Sequence, residues 1–176
     1  MGESTGRAGD KIGWNKLAGI VNFGLTKLRL RGIPVMVRKL QKADIDRVAD
    51  IWLDTNLKAH DFISAQYWKR NFELVKEMLL QAEVYVYESD QKIQGFTGLN
   101  NDYIEGIFVS DEMQSQGIGK ILLNYAKDKR NKLHLNVYQK NARAISFYKR
   151  EGFEIQHSGL DEATGEKDYV MTWQHK

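Results

Sequence analysis

The residues best placed to hold an anion lie in Ile107-Phe108-Val109-Ser110-Asp111-Glu112-Met113-Gln114-Ser115-Gln116-Gly117-Ile118-Gly119-Lys120. A β-branched run passes through a polar turn into a glycine-containing helix start, and the first N–H groups of a helix have no intrahelical partner. With the helix dipole they make an anion site. Gly117 and Gly119 have no side chains, so a diphosphate can approach the backbone there. The same spacing also serves a plain tight helix entry, and Gly-x-Gly alone leaves both readings open. Two common nucleotide loops are excluded. No Gly-Lys-Ser/Thr is present, as a P-loop requires, and Leu122 stands where the dinucleotide fingerprint needs a third glycine. The chain has no cysteine, which removes disulfides, thiolate metal sites and an acyl-cysteine intermediate. His134, His157 and His175 have no carboxylate or histidine at ligand spacing, so they read as surface residues and no metal is expected.

Periodicity gives the elements that must position these residues. A short strand at 35–40 runs into Asp44, the expected cap of a helix over 44–58 with Ile45, Val48, Ala49, Ile51 and Trp52 at helical spacing. Ser64 is the expected cap of a second helix reaching about 81, whose apolar stripe is Tyr67, Trp68, Phe72, Val75, Met78 and Leu79. Strands at 83–88, 93–99 and 103–109 follow through tight turns. A helix over 117–129, a strand at 133–138 and a helix over 141–150 come next, the last ended by Gly152 in the C-terminal glycine position. Strands at 153–157 and 168–173 close the chain. The order β, α, α, β, β, β, α, β, α, β, β is a mixed α/β layer arrangement.

A second informative segment begins 22 residues after Gly119: Asn141-Ala142-Arg143-Ala144-Ile145-Ser146-Phe147-Tyr148-Lys149-Arg150-Glu151-Gly152-Phe153. Gln114-x-x-Gly117-x-Gly119 together with Asn141-x-x-Ala144-x-x-Phe147-Tyr148 and Gly152-Phe153 resembles the GNAT superfamily of N-acetyltransferases. The resemblance spans residues 36–176 and includes the element order. His60 to Trp68 and Val137 to Asn141 are similar to the YiaC and YjaB branch of small bacterial acetyltransferases. The resemblance implies a mostly antiparallel, splayed sheet of about six to seven strands flanked by about four helices. It implies acetyl-CoA as donor, its pyrophosphate on the amides of Gln114, Ser115, Gln116, Gly117, Ile118, Gly119 and Lys120. Its pantetheine would pair against Phe108 and Val109, with Asn141, Phe147 and Tyr148 completing the cofactor site. Lys120 is the only adjacent cation the sequence offers.

A lysine-type amine is mostly protonated at neutral pH and must lose a proton before attack. Without cysteine, direct attack on the thioester is the simplest route. By analogy with the family, Tyr148 protonates the leaving thiolate and a backbone N–H near Phe108 holds the oxyanion. Core packing is the rival role for Tyr148. Glu105, on the strand beside the expected cleft, is the candidate base acting through water, and an exposed strand carboxylate is the alternative. Tyr103 and Tyr138 are acceptor-lining or strand-packing residues. His60, Asp61 and Phe62 sit in the loop that shapes the acceptor pocket in relatives, where His60 reads first as a solvated loop histidine and second as a base. The acceptor is a primary amine, either a small molecule or a protein lysine.

The length of 176 residues suits one domain. The formal charge of +3 is unevenly spread: residues 1–35 carry +4 and residues 36–176 carry −1. The first 35 residues hold seven of the fifteen glycines and read as an extension or added leader, with a partner-binding or membrane-surface segment as the rival reading. Residues 36–176 form the expected catalytic domain, cytoplasmic, monomeric or homodimeric, with no membrane span and no nucleic acid. A non-catalytic acyl-CoA-binding module is the other class that fits.

Overall fold

Alternating sequence becomes eight strands of one sheet in the computed structural model, which describes residues 26–30 and 33–175. The strands are β1 (Thr26–Leu30), β2 (Ile33–Lys39), β3 (Glu83–Ser89), β4 (Lys92–Asn100), β5 (Tyr103–Val109), β6 (Lys132–Tyr138), β7 (Glu154–Asp161) and β8 (Glu166–Gln174). Their spatial order is β1-β2-β3-β4-β5-β6-β8-β7. Seven answer to the expected strands, and β1 adds an eighth by pairing Thr26 to Leu30 with Val37 to Ile33. β1 and the first residues of β2 precede Met36. Leader residues 1–25 lie outside the described residues.

The helices are α1 (Ile45–Ala59), α2 (Ala65–Arg70), α3 (Phe72–Leu79), α4 (Ile118–Lys127) and α5 (Ala142–Arg150). The single helix expected over 64–81 is two, broken at Asn71. The Asn71 side-chain amide donates to Tyr67 O at 2.8 Å and its N–H bonds Trp68 O, a local competition with helical pairing for which asparagine is suited. Ser64 caps α2 as expected, its hydroxyl accepting from Gln66 N–H. Asp44 makes no cap bond for α1; its carboxylate takes Arg38 at 2.6 Å and the Gln41 N–H at 2.7 Å. Gly152 ends α5 at φ 85°, a left-handed conformation that favours glycine.

The sheet carries an apolar layer on each face. Val48, Ile51 and Trp52 of α1, Trp68, and Val75 and Leu79 of α3 pack on Val84, Val86 and Phe96. On the other face Ile118, Leu122 and Leu123 of α4 and Tyr148 of α5 pack on Tyr85, Leu99, Leu133 and Met171. β3 thus buries both faces, Val84 and Val86 toward α1 and Tyr85 and Tyr87 toward α4. Removing a fully buried leucine such as Leu122 from this packing costs roughly 2–5 kcal/mol.

Two departures from regular pairing shape the site. β5 and β6 are parallel and meet only at Tyr103↔His134, so they diverge toward the end of β5. Along β4–β5 the register shifts between Gly98↔Gly106 and Leu99↔Ile104, leaving Glu105 as the extra residue of a bulge. A bulge re-aims side chains at its position.

Candidate active site

The divergence of β5 from β6 opens a cleft of about 560 Å³ between α1, the end of β5, the start of α4 and α5. Its walls include Asn56 and His60, Ile107 to Val109, Gln114 to Lys120 in part, and Asn141, Phe147 and Tyr148. Ser110 N–H bonds Gln94 O at 2.8 Å, so Ser110, Phe108 and Gly106 face β4 with their backbone groups. By alternation the amides and carbonyls of Ile107 and Val109 face the open side. The amides near Phe108 that face the cleft are therefore those of Ile107 and Val109, while that of Phe108 itself faces β4. The Phe108 ring stacks on Phe96 with centroids 4.8 Å apart.

Ser115 at φ 63° and Gly117 at φ 85° fold the loop ahead of α4 into a concave run of amides. The first α4 bond to this turn is Ile121 N–H to Gly117 O, which leaves the amides of Ile118, Gly119 and Lys120 without an intrahelical partner. A side chain at position 117 would meet nothing within 4 Å, so backbone conformation, not space, selects glycine there. Lys120 is drawn toward Glu151 at 3.4 Å. Arg143, absent from the sequence-derived site, supplies the guanidinium that the loop lacks. It donates to Gln114 Oε1 at 2.8 Å and to Ser115 Oγ at 3.2 Å. Gln114 in turn donates to the cleft-facing Val109 carbonyl at 3.1 Å. Arg143 is legible in sequence as the basic residue in the first turn of the Asn141-x-x-Ala144 helix. Only its bonds to Gln114 and Ser115 show which way it turns.

Tyr148 is both a core residue and a cleft residue, 7% exposed and packed at ring distances of 5.1 Å from Phe147 and 5.5 Å from Phe153. Burial, then the neighbouring Tyr103, raises its pKa, so it keeps its proton at neutral pH. Glu105, Tyr103 and Tyr138 lie outside the cleft walls. Burial pushes the Glu105 carboxyl up to about 7 against the opposing hydrogen bond from Asn100. Tyr103, half-buried, is pushed up to about 12 by burial and by Glu105, and its ring meets His134 at 5.1 Å. His134 is thus half-buried packing rather than a surface residue. The Tyr138 hydroxyl donates to Asp161.

His60 is not a solvated loop histidine. Its ring stacks on Trp68 at 5.5 Å and meets Tyr138 at 5.1 Å and Phe62 at 5.7 Å. Nδ1 lies 3.0 Å from Asn56 Oδ1 and Nε2 lies 3.2 Å from Asn141 Nδ2. Burial lowers its pKa to about 4, against the pull of Asp61. Asp61 itself is exposed. Asn56 could not have been picked from the sequence, because nothing in a helix pattern distinguishes a buried asparagine from a surface one. No group of three or more metal-ligating side chains occurs among the described residues.

A split sheet, an open strand edge and an amide cradle at a helix N-terminus define a class: proteins that hold an extended, anionic cosubstrate. Acetyl-CoA fits, because the cradle suits a diphosphate and the Ile107 and Val109 edge suits the amides of pantetheine. The profile of the acetyltransferase (GNAT) domain matches residues 81–155. Over 140 residues the chain is 33% identical to the peptidyl-lysine N-acetyltransferase YiaC of Escherichia coli, covering 78% of this chain and 96% of that protein. The solution structure of apo-form YjaB from Escherichia coli aligns with a TM-score of 0.73 at 23% identity, over 81% of this chain and 99% of that one. The structure of yncA from Salmonella typhimurium with its cofactor acetyl-CoA aligns at 0.58 and 17%, over 81% and 94%. The chain belongs to the GNAT family: it is an acetyl-CoA-dependent N-acetyltransferase that acetylates an amine. Among the described residues no helix is long and apolar enough to cross a membrane.

Proposed function

We propose that the acceptor is the ε-amino group of a protein lysine, modified in the cytoplasm by a monomer or homodimer that needs no nucleic acid. The observation that carries this reading is the aromatic surface beside the cleft. There the Phe62 ring accommodates a lysine ammonium of the chain itself, that of Lys140, at 5.1 Å from its centroid. Phe62 and Tyr138 meet at 5.7 Å, and Asp161 is bound to Tyr138, so a long cationic side chain that takes the place of Lys140 meets aromatic rings with a carboxylate close by. The similarity to a peptidyl-lysine acetyltransferase over most of its length supports the same class of acceptor.

The thioester supplies an activated acetyl group. Glu105 takes the proton of the acceptor ammonium through water, and the neutral nitrogen forms the new C–N bond. A cleft-facing amide of Ile107 or Val109 holds the charge that develops on the carbonyl oxygen. As the C–S bond breaks, Tyr148 gives its hydroxyl proton to the sulfur, and the nitrogen sheds its second proton, through water, to restore the Tyr148 hydroxyl and leave the neutral amide. The amides of Gly117 to Lys120 hold the pyrophosphate, with Gln114, Ser115 and Gln116 shaping the cradle and Arg143 adding charge. Asn141 directs one N–H into the cleft and Phe147 lines it.

Release of CoA thiol is measured over lysine peptides, proteins and small amines. Thiol release with lysine peptides, with the acetyl group located on lysine by mass spectrometry, is expected. Turnover of small amines but not peptides would reassign the acceptor. Tight acetyl-CoA binding with no acceptor-dependent thiol would make the chain a binding module.

A further inference from the structure

The Ala144 backbone N–H can only donate, and it donates to Asn141 Oδ1 at 3.1 Å, which fixes which end of the Asn141 amide is oxygen. Asn141 Nδ2 therefore faces His60 Nε2, 3.2 Å away, so that ring nitrogen must accept. The proton of the neutral ring then sits on Nδ1, where Asn56 Oδ1 accepts it at 3.0 Å. Asn56 Nδ2 continues in the same sense to Trp52 O at 2.8 Å. The chain of bonds runs from a backbone donor of α5 to a backbone carbonyl of α1 with every direction determined. Asn56 is 3% exposed, so little water competes for these bonds. The other neighbours of His60 are the rings of Phe62, Trp68 and Tyr138 and the carboxylate of Asp61.

We propose that His60 is a positioning residue. Through Asn56 and Asn141 it locks the α1–α2 loop to the N-terminus of α5, aiming the second Asn141 N–H into the acetyl-CoA cleft and fixing the helix that carries Tyr148. The aromatic acceptor surface packs on the same ring, so acceptor and cofactor sides share one support. His60 does not act as a base: a proton on Nε2 would set two donors against each other across 3.2 Å. The proposal rests on the acetyl-CoA cleft described above and not on the identity of the acceptor.

The test compares His60→Gln with His60→Phe. Glutamine can donate and accept from the end of its side chain and so restore both bonds, whereas phenylalanine keeps the stacking on Trp68 but neither bond. Acetyl-CoA binding is measured by calorimetry, with no acceptor present. His60→Phe is expected to weaken it about tenfold and His60→Gln by no more than about threefold, the scale of losing or keeping one well-placed hydrogen bond. With a working acceptor, the acid limb of the pH–rate profile stays in place in both variants. NMR of ring ¹⁵N is expected to show the Nδ1–H tautomer between pH 6 and 8, the range about the neutral point. Equal binding by both variants and the wild type overturns the proposal. So does equal loss in both, or an acid limb that disappears with His60. Failure of every lysine acceptor would remove the proposed substrate while leaving the binding and tautomer results to decide this point.

Discussion

Glu105 titrates where the enzyme must work, and that gives a quantitative prediction. With its carboxyl pushed up to about 7, half of the molecules hold a usable base at pH 7, about a tenth at pH 6 and about nine tenths at pH 8. At saturating acetyl-CoA, kcat/KM for a lysine peptide should carry an acid limb centred near pH 7. Glu105→Gln should lower the plateau about 10²–10⁴-fold, the usual worth of a general base, and abolish the limb. Asn100→Ala removes the bond that opposes the burial effect and should move the limb upward. Repeating the profile with two acceptors of different amine pKa separates Glu105 from the acceptor's own titration, because only the latter follows the amine. The same group has an opposite signature in stability. Its folded pKa lies above the unfolded value of about 4.3, so stability is lost as pH rises from there to about 7. Glu105→Gln should therefore be more stable than wild type at pH 8, by about 1–2 kcal/mol once solvent screening at a half-buried site is allowed for. The gap should close below about pH 4. A limb that survives Glu105→Gln, or that moves with the amine, refutes the assignment.

Other expectations concern single groups. Tyr148→Phe should leave acetyl-CoA affinity nearly unchanged and reduce kcat by about 10²-fold; wild-type kcat would return Tyr148 to the role of a packing residue. Gly117→Ala forces an alanine to φ 85° with no steric clash, so it should cost about 1–2 kcal/mol of stability and weaken CoA binding by calorimetry. Arg143→Ala should raise KM for acetyl-CoA severalfold with kcat unchanged, and the wild-type affinity, unlike that of the variant, should fall steeply with salt. Burial alone would raise the Asp44 carboxyl, but the Arg38 bond and the Gln41 amide outweigh it and hold it below the usual range. Asp44→Asn should cost about 2 kcal/mol in urea denaturation at pH 7, and the difference should shrink below about pH 4 as the wild-type carboxylate takes up its proton.

Local sequence announced whatever depended on local rules. Val84 and Val86 alternate because β3 has two faces, Ser64 caps because its hydroxyl reaches Gln66, and Gly152 ends α5 because only its φ needs glycine. Asp44 defied the same rules because Arg38, on the adjacent strand, offers a charge-assisted bond stronger than a helix cap. The break at Asn71 was hidden by an apolar stripe that continues through it. At the site, Gln114, Ser115, Gly117 to Lys120, Asn141, Phe147 and Tyr148 line one cleft, whereas Gln116, exposed, turns its amide to Glu112 O and lies outside its walls. What sequence could not give was the partnership between segments. Arg143 meets Gln114 and Ser115, and His60 meets Asn141 across 81 positions, only because the sheet brings α1, α4 and α5 to one opening.

β5 and β6 pair only at Tyr103↔His134. Had β6 paired along all of β5, the edge groups of Ile107 and Val109 would be spent on a neighbouring strand and the cleft would close. Glu105 follows Tyr103 by two residues, and its charge raises the Tyr103 hydroxyl as Tyr103 raises that of Tyr148. The divergence of β5 from β6 thus keeps the cleft open. The net charge of +3 has no bearing on the cleft: its walls carry Lys120, Arg143 and Arg150 against Glu151, which pairs with Lys120, while Glu105, Asp161 and Asp168 act on Tyr103. An anion seated in the cleft thus meets a net excess of positive charge on its walls.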